Sequence, residues 1–328
     1  MIRKLLSVAA VGLSALALTG ETRAQNYPTR AITIIVPFAA GGPTDIIARV
    51  IAAQMSTSLG QQVVIENVAG AAGTTGMLRA ARATPDGYTL LVGGMSTMSF
   101  SPTLYPNLPV SSMTGLDPVG IVASAPIVLV VGKDVPAKTV KEFADYVKAN
   151  SDKVVNGHAG VGSSSHLACS LLNSRMGAKP QVVPYRGTGP AMNDLVGGQI
   201  QYMCDQTTSV MGQVQGGGAK ALAVLASTRS AALPNVPTIA EAGFPGTEME
   251  IWNAVFAPKG TPPEIIKTLN AAVVKGIQDP TARARFADLG AEAPGADRQS
   301  PEALAKILAA DVDKWGKVIN EAGIKPIN

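Results

Sequence analysis

Three short segments of the sequence combine glycine with hydroxyl side chains directly after apolar, strand-like runs. The first loop reads FAAGGPTD (38–45), the second AGVGSSSH (159–166) and the third YRGTGPAMND (185–194), and a helix-like run follows each. Glycine lets main-chain N–H groups and a helix N-terminus approach a ligand closely, and both favour an anion. Ligands of open α/β sheets lie outside the carboxyl ends of the strands. The loops therefore predict a cleft between two lobes that binds a small anion without the lysine of a phosphate loop.

The second loop also contains the residue types of a nucleophile and a base. Ser163, Ser164 and Ser165 directly precede His166, so an exported hydrolase that uses this cluster is one alternative function. Neighbours at the start of one helix rarely bring a hydroxyl and an imidazole into attacking geometry, and the serines can instead cap the helix. The two histidines of the chain do not have the spacing of a zinc site. We therefore predict no catalytic residue, no metal site and no cofactor.

The N-terminal residues predict export. Basic residues precede an apolar run from Leu5 to Leu18, which is too short to span a bilayer and ends in small and polar residues before Ala24. We predict a signal peptide over 1–24, a periplasmic location and no membrane insertion after the signal is removed. The residues that follow carry 24 basic and 22 acidic side chains, a net charge of +2. No basic stripe interleaved with aromatic residues favours nucleic acid as a partner.

The elements that must position the loops alternate along the chain. Strand-like runs such as AITIIVPF, QQVVIENV and YTLLVGG alternate with helix-like runs, a pattern typical of parallel sheets covered by helices. From Ala257 onward the pattern is mainly helical. The first helix of this part has a predicted capping box, with Thr261 as the N-cap, Pro262 just inside the helix and Glu264 three residues after the cap. The sequence therefore predicts an α/β protein of two domains.

Six strings resemble one known family over essentially the whole chain that follows the predicted leader. They are VPFAAGGPTDIIAR, GQQVVIENVAGAAGTTG, ATPDGYTLL, VPYRGTGPAMNDLVGGQIQYMCDQ, LPNVPTIAEAGFPG and FAPKGTPPEIIKTLNAA. Together they are similar to the extracytoplasmic solute receptors of tripartite tricarboxylate transporters, the Bug family. The resemblance implies a monomeric periplasmic binding protein of type II, with mixed sheets flanked by helices in two lobes. Such a protein closes on a small organic acid and delivers it to a membrane permease; a sensor for a membrane kinase is a second alternative.

The resemblance and the strand ends together give the expected lobes and ligand site. Lobe 1 is expected at 25–123 plus 229–328 and lobe 2 at 124–228, with hinges near IVASAPIV and LAVLAS. The expected ligand-binding residues lie in the three loops or at neighbouring strand ends: Phe38, Ala39, Ala40, Gly41, Gly42, Thr44, Asp45, Met95, Ser96, Ser163, Ser164, Ser165, His166, Tyr185, Gly187, Thr188 and Asp205. For Thr44 and Asp45 helix capping is an equal alternative. Arg186 is expected at the rim or in a structural role, and Trp252 buried at the lobe junction.

One residue of the expected site is acidic. Asp205 ends a strand in YMCDQTT, and a carboxylate beside an anion site repels a second carboxylate unless the ligand itself carries a cation. The strings PFAAGGPTD and MCDQTTS are most similar to family members that bind acidic amino acids such as aspartate. We therefore expect an amino dicarboxylate as ligand, although Asp205 can instead hold a loop N–H group or an ordered water.

Two cysteines fall in the expected lobe 2. Cys169 lies in the helix-like run SSSHLACSLL, and Cys204 lies in the strand that ends at Asp205. Export favours a disulfide between them, with two buried free thiols as the alternative.

Overall fold

The computed structural model describes residues 27–327, so the predicted signal peptide at 1–24 lies outside the described residues. Nine strands lie in this range: β1 (Ile32–Val36), β2 (Val63–Asn67), β3 (Thr89–Gly94), β4 (Leu116–Gly132), β5 (Val155–His158), β6 (Gln181–Pro184), β7 (Tyr202–Gln206), β8 (Ala219–Leu225) and β9 (Glu250–Pro258).

Nine helices of at least two turns lie in the same range, six before β9 and three after it. They are α1 (Pro43–Leu59), α2 (Thr74–Ala81), α3 (Val140–Ala149), α4 (Ser164–Met176), α5 (Thr188–Val196), α6 (Thr207–Gln215), α7 (Pro263–Gln278), α8 (Pro280–Asp288) and α9 (Pro301–Glu321). Shorter helical turns are at Ala71–Gly73, Ser96–Phe100, Ser101–Leu104, Ser112–Gly115 and Ala296–Arg298. None of the helices described is both long and apolar enough to cross a membrane.

The strands form two mixed sheets that share β4. In the first sheet the order is β2-β1-β3-β9-β4, with β1 parallel to both of its neighbours and β9 antiparallel between β3 and β4. In the second sheet β7 and β8 pair antiparallel with the last part of β4, and the parallel strands β5 and β6 continue beyond β7. Helices connect the parallel strands. The architecture confirms the predicted α/β class of mixed sheets flanked by helices.

The chain crosses between the two sheets at two places. Residues 116–126 of β4 pair with β9 and residues 127–132 pair with β8, so the first crossing follows Pro126, close to the predicted boundary at 123. The second crossing follows β8. The segment from 229 to 249, which we expected in lobe 1, lies against the second sheet, where Leu233 packs among its core residues and the Met249 N–H donates to the Leu225 carbonyl at 2.7 Å.

Two side-chain predictions concern the protein interior. Cys169 of α4 and Cys204 of β7 form a disulfide, with their Cα atoms 5.4 Å apart and both side chains fully buried. This is the bridge that export led us to expect, and it ties the helix after the second loop to the strand that contains Asp205. Trp252 of β9 is buried beside the first crossing, where it pairs with Ser124 of β4, as predicted.

The start of α7 differs from the prediction. The helix begins at Pro263, and Pro262 is its N-cap residue, without a side-chain cap. The Thr261 hydroxyl instead donates to the Pro258 carbonyl at 2.7 Å. The predicted capping box was therefore wrong, because the threonine side chain closes the turn that follows β9.

Candidate functional site

The three loops meet at one small cavity between the two sheets, with a volume of about 20 Å³. The predicted site residues that line it are Phe38, Thr44, Ser96, Ser163, Ser164, Ser165, Thr188 and Asp205. Three further residues in its wall were not predicted: Pro43, Ala159 and Gln206. A space of this size has room for about one water molecule. The structure therefore has the lobes closed over a narrow, mostly hydroxyl-lined space.

Within residues 27–327 the cavity wall has no basic side chain, which is unusual for a site that binds an anion. Among the described residues that line it there is no lysine or arginine, and Asp205 is its one acidic side chain. Three helices, α1, α4 and α5, begin at wall residues, and helix N-termini carry partial positive charge. The wall therefore offers neutral donors and helix dipoles to a carboxylate.

The Asp205 carboxylate is buried at the end of β7 and is already hydrogen-bonded within the protein. Its Oδ1 accepts from the Gln206 N–H at 2.7 Å, and its Oδ2 accepts from the Thr188 hydroxyl. Burial raises the pKa of Asp205 to about 6, because the charged form loses hydration there. Asp205 thus holds the start of α5 and still faces the cavity.

The Asp45 carboxylate organises the first loop from outside the cavity. Its Oδ2 accepts from the Gly41 N–H at 3.0 Å, so that N–H group is not available to a ligand in this conformation. Its Oδ1 accepts from Arg49 and from Asn67, each at 2.9 Å. Burial acts to raise the pKa of Asp45, but these hydrogen bonds outweigh it and the pKa is lowered. The helix-capping alternative for Thr44 and Asp45 was wrong, because Gly42 is the N-cap of α1 and no side chain caps it. The contacts of Asp45 instead stabilise the first loop.

Glycines of the third loop allow the two lobes to touch. A Cβ atom on Gly187 would lie 3.0 Å from the Ala39 nitrogen, and one on Gly189 would overlap the Ala40 carbonyl. The Ala39 N–H donates across this contact to the Arg186 carbonyl at 3.4 Å. Glycine in these loops therefore serves the close approach of one lobe to the other.

The serines of the second loop cap α4 and join the lobes. The Ser163 hydroxyl accepts from the His166 N–H at 3.2 Å, and it lies 3.0 Å from the Ser165 hydroxyl. The Ser164 N–H donates at 2.9 Å to the hydroxyl of Ser96, which follows β3 in the other sheet. Helix capping, one of the two alternatives for the serine cluster, is therefore present.

The two histidines flank the same loop as a contacting pair. The ring centroids of His158 and His166 are 4.5 Å apart. Each Nδ1 accepts a main-chain N–H of the loop, from Gly160 at 3.2 Å and from Gly162 at 3.3 Å. Burial lowers the pKa of both rings, that of His158 to about 4. Both rings are therefore neutral acceptors near pH 7, and within residues 27–327 no serine hydroxyl of the loop is hydrogen-bonded to either ring.

Several predicted residues do not line the cavity: Ala39, Ala40, Gly41, Gly42, Asp45, Met95, His166, Tyr185 and Gly187. Met95 is buried in the apolar core. The Tyr185 hydroxyl donates to Asp194 at 2.6 Å, and its side chain lines a larger space of about 520 Å³, which we call the outer pocket. A groove of about 540 Å³ beside α7 and α9 lies away from all three loops. The described residues contain no group of three His, Cys, Asp or Glu side chains that could hold a metal ion.

A buried amide pair behind the cavity was missed by the sequence analysis. Asn253, in the middle of β9, accepts from the Thr44 hydroxyl at 3.1 Å and donates to the Gln206 side chain at 3.0 Å. The two amides connect the first loop to the strand end beside Asp205. A lone asparagine in the apolar strand EIWNAVFAP was the signal that could have revealed it.

Comparisons with known proteins find one receptor family and solved structures of periplasmic binding proteins. The family model described as the tripartite tricarboxylate transporter family receptor matches residues 47–324. The periplasmic binding protein BugD is 41% identical, with a TM-score of 0.89, covering 92% of this chain and 100% of that chain. MatC from Rhodopseudomonas palustris, solved with bound malate, is 41% identical, with a TM-score of 0.86 and 89% and 100% covered. A further Rhodopseudomonas palustris protein, solved with adipate, is 33% identical, with a TM-score of 0.87 and 92% and 100% covered.

Proposed function

Since this chain belongs to the family of tripartite tricarboxylate transporter receptors, we propose that it captures a small organic acid in the periplasm and delivers it to the membrane permease of such a transporter. Like the matched family and its solved neighbours, it is a solute-binding receptor and not an enzyme. The observation that carries the proposal is the cavity at which three loops from both sheets meet. The neighbours solved with malate and adipate support a carboxylate as the captured group.

Neutral donors hold the carboxylate in this proposal. The Ser96 hydroxyl lines the cavity, and the N-terminus of α4 meets it from the second lobe. The hydroxyls of Thr44 and Thr188 also line the cavity, but they donate to Asn253 and Asp205 and are not available as donors in this conformation. A helix N-terminus in a partly buried site favours an anion by up to about 2 kcal/mol, and hydrogen bonds to an ionised acceptor are the stronger kind. Because the donors come from both lobes, the carboxylate is fully coordinated only when the lobes close.

The finer proposal concerns the α-substituent of the ligand. An ionised carboxylate has more acceptor sites than the two that Gln206 and Thr188 use, so Asp205 can also accept from a ligand ammonium group. We therefore favour an amino dicarboxylate such as aspartate. Asp205→Asn should weaken the binding of aspartate by about 1.5–3 kcal/mol and leave the binding of succinate unchanged or stronger, because only aspartate has the ammonium group. Calorimetry with both ligands tests this, and equal losses for the two would exclude the ammonium role.

A melting-temperature panel tests the proposed function as a whole. The purified protein is heated alone and with dicarboxylates, amino acids and aromatic acids, and the matching diamides serve as uncharged controls. A bound acid at a hundred times its Kd stabilises by about 2.7 kcal/mol, which raises the melting temperature, whereas the diamides should have no effect. If no acid shifts the melting temperature, or if the protein turns over ester substrates, the proposal is wrong.

A further inference from the structure

The closed cavity does not hold a whole dicarboxylate. Its volume of about 20 Å³ leaves room for about one water molecule, which is less than malate or adipate requires. We place only one carboxylate group of such a ligand between the three loops, where the wall residues can coordinate it. The remainder of a longer ligand therefore needs a second space next to the cavity.

The outer pocket is that neighbouring space. Phe38 and Ala159 line both the cavity and the outer pocket, so the two spaces are adjacent at these residues. The rest of the outer pocket comes from residues 69–73, Tyr105 and Ile327 on one side and from the second and third loops on the other. The Tyr105 hydroxyl, which donates to the Val161 carbonyl at 2.8 Å, links the two sides.

The outer pocket has the positive charge that the cavity lacks. Arg186 lines it, is exposed, and makes no ion pair with any residue in the described range. The described lining of the outer pocket contains no acidic side chain. The Arg186 carbonyl accepts from the Ala39 N–H, so lobe closure fixes the backbone that carries the guanidinium. A planar guanidinium with free donors is suited to bidentate binding of a carboxylate.

We propose that Arg186 binds the distal carboxylate of a longer dicarboxylate whose proximal carboxylate lies in the closed cavity. The inference rests on the proposed function and deepens it by naming a second ligand class beside the shorter amino dicarboxylate, a dicarboxylate long enough to reach from the cavity past Phe38 and Ala159 into the outer pocket. Asp205 would contact the α-substituent of the ligand and Arg186 its distal carboxylate, so the two residues contribute independently to the binding free energy. Affinity should rise with chain length once the distal carboxylate reaches the guanidinium.

Arg186→Gln with a matched control tests the assignment. Calorimetry measures the affinity for three acids: adipate, hexanoate and succinate. Hexanoate has no distal carboxylate, and succinate is shorter than adipate. Arg82→Gln is the control, because Arg82 is also exposed and lines neither space. Arg186→Gln removes one partly exposed hydrogen bond between charged groups, so it should weaken the binding of adipate about five- to tenfold and leave the binding of hexanoate unchanged. Arg82→Gln should change neither ligand, and Arg186→Lys should retain part of the adipate affinity.

The outcomes separate the inference from the function on which it rests. If the unaltered protein binds adipate and Arg186→Gln binds it equally well, the inference is overturned and the proposed function stands. Equal losses for adipate and hexanoate also overturn it, since the effect would not depend on the distal carboxylate. If the unaltered protein binds another acid but not adipate, the inference is overturned and the proposed function stands, and if no acid binds or stabilises it, both are overturned. An unchanged melting temperature of the unliganded Arg186→Gln variant shows that the variant is folded.

Discussion

Acidification should act in opposite directions on two buried groups near the cavity. The pKa of His158 is lowered from 6.5 to about 4, so below pH 6.5 the unfolded chain takes up a proton that the folded chain does not. This contribution to stability is complete above pH 6.5 and is lost as the pH falls toward 4. The pKa of Asp205 is raised from 3.8 to about 6, so the folded chain takes up this proton first and gains stability as the pH falls through 6 toward 3.8.

The two effects are of similar size. Integrated from pH 7 to about pH 4.5, each group changes the free energy of unfolding by about 2 kcal/mol, His158 lowering it and Asp205 raising it. His166 adds to the loss, since burial lowers its pKa as well. In the unaltered protein the two groups therefore largely cancel, and variants are needed to separate them.

Two asparagine variants make the cancellation measurable by urea unfolding at the two pH values. His158→Asn keeps an acceptor for the Gly160 N–H, and Asp205→Asn keeps one for the Gln206 N–H, but neither side chain titrates. The pH-induced changes in unfolding free energy of the two variants should differ by about 4 kcal/mol, with Asp205→Asn losing stability in acid relative to His158→Asn. If both variants follow the pH dependence of the unaltered protein, the two groups are not buried in the protonation states argued from the structure.

Three further perturbations test the lobes and the bridge. Replacing Cys169 and Cys204 by alanine should lower the unfolding free energy by about 4 kcal/mol, because the bridge closes a loop with a sequence separation of 35. Mass spectrometry after alkylation without reductant would contradict the bridge if it found two adducts. Ser96→Ala removes the acceptor for the Ser164 N–H and should weaken ligand binding about tenfold in calorimetry, whereas Ser99→Ala, whose hydroxyl has no partner among the described residues, should not. Small-angle scattering should give a smaller radius of gyration with saturating ligand, and an unchanged radius would count against closure.

Local sequence signals predicted the parts of the site that lie at the ends of strands. Apolar runs followed by glycine and hydroxyl residues identified where β5 and β6 end, and the second and third loops lie on the same side because the carboxyl ends of parallel strands meet at one edge. Export and two cysteines were enough to expect the bridge between Cys169 and Cys204. At Thr261 the same kind of signal failed, since two consecutive prolines both suit a helix start and the hydroxyl had a nearer carbonyl to bond.

Contacts between distant segments could not be read from such signals. Thr44 and Asn253 are 209 positions apart, and only the pairing of β9 between β3 and β4 brings them together. The adjacency of the cavity and the outer pocket has the same origin, because Phe38 and Ala159 follow strands of different sheets. Sequence patterns identify which residues lie at strand ends, but the strand order decides which of those ends meet.

The charge distribution suggests how capture and release are linked. A site with a buried cation would hold an anion in the open state as well, whereas neutral donors shared by two lobes act together only after closure. The contacts from Ser164 to Ser96 and from Ala39 to Arg186 exist only across that interface. A partner that separates the lobes would break these contacts and the ligand's coordination at the same time, so the apparent affinity would fall with the closed fraction. An acid that is bound mainly through closure can therefore be released by opening alone, with the exposed charge of Arg186 favouring its initial encounter.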